Sequence, residues 1–168
     1  MKRIGVVLFA VVVACVIAAM TVRVGYADGE SSPIFGVKIP DGHRQWELIS
    51  ISEDTDKEQL KGIHGNAVAM KAYRDKTLPF PDGSVLVKLT WKREHFEKSD
   101  HVFTTGASTM VQVMVKDSKR YAESGGWGFG RFIDGKAVDE AQHKTCFTCH
   151  SSNASVKEHD FVFTRLAP

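Results

Sequence analysis

Near the end of the chain, within "KTCFTCHSSN", Cys146, Cys149 and His150 form the pattern C-x-x-C-H. Two thiols at this spacing, with an imidazole directly after the second, suit three chemistries. They can bind zinc, cycle between dithiol and disulfide, or carry a covalently attached haem. A structural zinc site needs four ligands, usually two close pairs. Beyond the first 27 residues the only cysteines are these two, so zinc would have to recruit His143 or His159 alongside His150. A thioredoxin-like pair belongs at the start of a helix after a strand, inside a βαβ unit, and no such unit surrounds this motif. The haem reading uses all three residues: each thiol bonds a vinyl group, and the histidine reaches the iron as an axial ligand. One covalent haem c, held by Cys146, Cys149 and His150, is the expected cofactor, with His150 the expected iron ligand.

The sixth coordination position then decides the function. Methionine or histidine there favours electron transfer, whereas an open position admits a small molecule. Met70, Met110, Met114, His43, His64, His95 and His101 are formally available, although such methionines more often fill cores and lone histidines are more often structural.

The elements that must position this motif are mostly strands. In "SVLVKLTW", Val85, Val87, Leu89 and Trp91 alternate with Leu86, Lys88 and Thr90, which predicts a half-buried strand. "STMVQVMVKD" sets Val111, Val113 and Val115 against Met110, Gln112 and Met114 in the same way. "GWGFGRFID" and the terminal "DFVFTRL" are aromatic, β-prone and bounded by turn or polar residues. At least four strands follow, mostly antiparallel because their connections are short. In "TDKEQLKGIHGNAVAMKAYRD" the spacing of Leu60, Ile63, Ala67 and Met70 predicts a helix broken near Gly62 and Gly65. "KAVDEAQHKTCFTCHSSNAS" shows no alternation and is expected to be helical around the cysteines. Residues 28–38 read as an extended arm rather than a core element, and 39–168 as a single domain, all that 168 residues readily support. "GWGFG" lacks the third glycine of a phosphate loop, and the sequon at Asn153 bears only on a eukaryotic secretory route.

The first 27 residues have the layout of a secretory signal: Lys2 and Arg3, an apolar run from Ile4 to Met20, and small residues ending at Ala27. A retained membrane anchor and a lipid-modified Cys15 are the alternatives, and the polar "DGESS" after the small residues favours cleavage. Removing this leader turns a formal charge of +2 into about −1, leaving no basic patch for nucleic acid and no stable membrane insertion. Export to the periplasm is expected, and it suits a haem-attachment motif, because such cytochromes are assembled outside the cytoplasm.

Taken in order, "PDGHRQW", "LPFPDGSVLVKLTW", "GGWGFGRF", "CFTCH" and "DFVFTRLAP" resemble the cytochrome P460 family, which includes the β-type cytochromes c′. The resemblance implies a β-dominated α+β fold, a mainly antiparallel sheet with a few helices and a C-terminal haem-attachment segment. It also implies a homodimer and a single haem c with an open distal side that meets hydroxylamine or nitric oxide. Members that oxidise hydroxylamine would pass electrons to a partner cytochrome and carry a lysine bonded to the haem edge; the cytochromes c′ bind gas in an apolar, aromatic-capped pocket. The resemblance places that lysine at Lys88. A lysine in a strand otherwise extends its amine into water. Catalytic members also need a carboxylate near the distal iron, shortly before the first cysteine. Ala141 falls about there, leaving Glu140, beside Asp139, as the candidate catalytic residue. Arg44 and Arg131 are candidates for the haem propionates, because a guanidinium fork matches a carboxylate. Phe80, Phe103, Phe129 and Phe132 are candidate pocket walls, with core packing their ordinary role.

Overall fold

Alternating apolar residues dominate the middle of the chain, and they form a sheet with two buried faces. A computed structural model describes residues 29–168, apart from the side chain of Asp100. The expected leader and its cleavage boundary lie outside the described residues. The elements run β1 (Glu47–Asp54), β2 (Gln59–Gly65), α1 (Ala67–Asp75), β3 (Val85–Phe96), β4 (Ser99–Lys116), β5 (Trp127–Ile133), β6 (Lys136–Ala137), α2 (Glu140–Ser151) and α3 (Ala154–Glu158). The six strands make one antiparallel sheet in sequence order. This is the β-dominated α+β architecture that the sequence implies.

The alternation in β3 and β4 divides the core. Val85, Val87, Leu89 and Val113 pack on one face with Val37, Tyr121 and Phe132. Leu86 packs on the other with Ile49, Ile63, Met70, Trp127, Phe129 and Val162. Helix α1 closes part of this second face through Ala69, Met70, Ala72 and Tyr73. Its N-cap Asn66 accepts from the backbone N–H groups of Ala69 (3.0 Å) and Val85 (3.1 Å) and donates to the Gly83 carbonyl, tying the helix start to the start of β3.

Four expectations need correcting. The helix predicted across Leu60, Ile63, Ala67 and Met70 is instead the end of β2 followed by α1, joined at Gly65 and Asn66. The side chains of Ile49 and Met70 leave no room for a Cβ at Gly65 without a shift. β3 is buried on both faces from Val85 to Thr90, with only Lys88 partly exposed, so it is not a half-buried strand. The terminal "DFVFTRL" joins no ladder: Asp160 and Phe161 take left-handed backbone angles (φ 51° and 63°), and the tail runs on irregularly. The N-terminal segment, expected as an extended arm outside the core, turns at Pro33–Phe35 and packs into the core. Val37 is buried there, and the Ser32 hydroxyl donates to the Phe129 carbonyl at 2.8 Å. No helix among the described residues is long and apolar enough to cross a membrane.

Candidate functional site

Cys146, Cys149 and His150 stand at i, i+3 and i+4 on α2, so the helix period puts them on one face. That face meets the sheet across a cavity of about 410 Å³, within the roughly 300–1,000 Å³ usual for small-molecule sites. From the sheet, Leu86, Lys88, Gln112, Met114, Phe129 and Arg131 line it; the tail contributes Val162, Phe163 and Thr164.

His143 fixes the helix to β5. Its Nδ1–H donates to the Asp139 carbonyl (2.9 Å), and its Nε2 accepts the backbone N–H of Arg131 (3.1 Å). With both ring nitrogens engaged, His143 is removed from the zinc alternative. Among the described residues no cluster of three or more His, Cys, Asp or Glu is arranged to hold a metal ion. The dithiol alternative also lacks support. The cysteines lie in the second half of α2, away from the helix start that would lower a thiol pKa, and burial pushes the Cys146 thiol up.

His150 has the arrangement an axial ligand needs. A carbonyl can only accept, so the 2.7 Å contact to Phe161 O puts the proton on Nδ1 and leaves the Nε2 lone pair free. The ring packs between Phe129 (centroids 5.0 Å apart) and Phe163 (4.9 Å). Burial holds its pKa below the ordinary histidine value, which keeps the ring neutral and able to coordinate.

Lys88, Gln112 and Arg131 are register partners on three adjacent strands and form one row across the cavity floor. The Lys88 amine has no carboxylate partner among the described residues, and burial pulls its pKa down to about 8. Arg131 likewise has no ion-pair partner there; its Nε–H points to Met110 Sδ at 3.1 Å. Between them Gln112 Oε1 is buried without a hydrogen-bond partner. Lys61 also lines the cavity, but its amine is paired with Asp54 at 2.7 Å.

The other candidates lie elsewhere. Glu140 opens α2, roughly 120° round the helix from Cys146, and pairs with Lys144 in solvent. Arg44 is exposed on a 3-10 turn, His43–Gln45, and does not line the cavity. Phe129 lines the cavity; Phe80 and Phe132 are core, and Phe103 stacks on His95 at the outer end of the β3–β4 hairpin. Of the candidate sixth ligands only Met114 reaches the cavity. Gln112 was legible only as a polar residue on the Lys88 face of an otherwise apolar strand. The Phe161 carbonyl carries no sequence signal.

A thiol pair and a neutral imidazole on one helix face, over a cavity with apolar walls and two unpaired cations, fit a haem with its two propionates. The fold and the site together suit a β-rich haem protein. The chain belongs to the cytochrome P460 family, whose model matches residues 40–164. A comparison with curated proteins returned no match. Membership carries the cytochrome class and haem c as the cofactor.

Proposed function

We propose that this chain is an exported mono-haem c-type cytochrome that binds small nitrogen species, nitric oxide or hydroxylamine, at an open haem face. Cys146 and Cys149 would attach the haem, His150 Nε2 would ligate the iron, and Arg131 would meet a propionate. When bound, the haem supplies an iron that can take a small ligand or exchange electrons with it. The chain's residues supply the rest. The Phe161 carbonyl holds the His150 tautomer, while Leu86, Met114 and Val162 keep water from the apolar part of the cavity. Gln112 Oε1 offers an acceptor to a ligand N–H or O–H.

The observation that carries the binding reading is the cavity lining. Its ionisable residues, the haem-attachment residues aside, are Lys61, Lys88 and Arg131, with no carboxylate among the described residues of the lining to take protons from an oxidised substrate. One observation favours a second reading, oxidation of hydroxylamine with electrons passed to a partner cytochrome. The Lys88 amine, with a pKa of about 8, is in its neutral, bond-forming state far more often than an ordinary lysine. Glu140 could serve that reading only if α2 turned to bring it inward. A periplasmic homodimer remains part of the proposal.

Ferrous spectra and tryptic mapping test it together. A normal Soret band, Lys88 in a haem-free peptide and stoichiometric nitric oxide binding support the binding role. A strongly red-shifted Soret band with Lys88 bonded to haem, and turnover of hydroxylamine, would move the assignment to oxidation. A colourless exported protein would sink both.

A further inference from the structure

At the end of β4, on the same sheet face as Gln112 and Met114, Lys116 forms a buried ion pair that the haem chemistry does not use. Its amine meets Asp160 Oδ1 at 2.8 Å and Oδ2 at 2.9 Å, and the two side chains are 5% and 7% exposed. The same amine donates to the Gly125 carbonyl (3.0 Å) and lies over the Trp127 ring, 5.1 Å from its centroid. Asp160 is held at two further points: Oδ2 accepts the Phe80 backbone N–H (2.8 Å), and its carbonyl accepts Trp127 Nε1–H (2.8 Å). The next residue is Phe161, whose carbonyl takes the His150 Nδ1–H.

Asp160 and Phe161 both have left-handed backbone angles, φ 51° and 63°. Two successive non-glycine residues in this region are costly and persist only where surrounding contacts over-determine them. The contacts at Asp160 do so from β4, β5 and the Phe80 loop. Removing either partner would leave a buried charge unpaired, which is why such pairs lock local geometry even when they add little net stability.

We propose that Lys116 and Asp160 are positioning residues for His150, fixing the Phe161 carbonyl so that it sets the orientation and donor strength of the imidazole. This rests on His150 being the iron ligand. A carbonyl held close to Nδ1–H gives the ring more imidazolate character, strengthens its bond to iron and lowers the reduction potential. A carbonyl free to move weakens all three effects.

Resonance Raman spectroscopy of the ferrous haem-loaded protein tests the proposal, because the iron–histidine stretch reads imidazole donor strength directly. Two variants are compared. Lys116→Met/Asp160→Asn removes both charges together, leaves no unpaired ion and keeps an acceptor for Phe80. Trp127→Phe removes the bond to the Asp160 carbonyl, together with part of the ring under Lys116, while keeping the ion pair, and carries the test alone if the double variant does not fold. Val87→Ala, in the core on the opposite face of the sheet, is the control for simple destabilisation.

The expected result is a downshifted, broadened iron–histidine band and a raised reduction potential in the loop variants, with both unchanged in Val87→Ala despite its lower melting temperature. A wild-type band position and potential in the folded loop variants would overturn the proposal and leave His150 as the ligand. A haem-loaded His150→Ala variant that keeps the wild-type band would instead remove the ligand assignment and this proposal with it.

Discussion

Lys88 is the residue whose chemistry depends most on its surroundings. Burial lowers its amine to a pKa of about 8 from an ordinary 10.5, so the folded chain binds fewer protons than the unfolded one between those values. Stability contributed at this site is therefore lowest below about pH 8 and rises as pH climbs towards 10.5. In protein whose Lys88 is not bonded to haem, Lys88→Met is expected to stabilise the fold at pH 7 by up to roughly 3 kcal/mol. The gain should vanish towards pH 10.5, as urea melts across that range would show. Gln112, its strand neighbour, is the position from which a carboxylate would act. Gln112→Glu is expected to raise hydroxylamine oxidation at least about tenfold, short of the 10²–10⁴ of a well-placed proton acceptor, in steady-state assays with an electron acceptor. The C-x-x-C-H residues stand out in the sequence by their types and spacing, whereas Lys88 is singled out only by the resemblance to the family. Gln112 was not legible, because an inward-facing amide has meaning only once Lys88 and Arg131 are seen on either side of it.

At the scale of the element, His143 ties α2 to β5 while the helix presents Cys146, Cys149 and His150 to the cavity. His143→Leu leaves the Arg131 N–H buried without a partner, a loss of roughly 1–3 kcal/mol in denaturant titrations. The two valine-rich strands were legible from alternation, since a sheet buried on both faces still separates its side chains with period two. The β2–α1 junction was not. Leu60 and Ile63 belong to a strand and Ala67 and Met70 to a helix, and together they happen to match a single helical spacing. β1, which no expectation included, reads "ELISISED" and carries one fully buried residue, Ile49, too little apolar content to stand out. The tail failed as a strand for a physical reason. Trp127, Lys116 and Phe80 hold Asp160 in a turn, which directs Val162, Phe163 and Thr164 to the cavity.

For the molecule as a whole, the cavity between α2 and the sheet is faced by two cations, Lys88 and Arg131, with no ion-pair partner among the described residues. Anything that binds only the folded chain stabilises it. The double variant Cys146→Ala/Cys149→Ala is therefore expected to lose covalent haem and to melt lower. A loss of about 2 kcal/mol would lower the midpoint by roughly 4–8 °C, as calorimetry on the two proteins would read. Sedimentation velocity of the haem-loaded protein is expected to give twice the chain mass, and a monomer at all concentrations would remove the homodimer from the proposal. The most direct test of the central claim is intact-mass and peptide-mapping mass spectrometry of the exported protein. The expected result is one haem per chain, carried on the peptide that contains Cys146 and Cys149; two free thiols, or a disulfide between them with no haem, would contradict it.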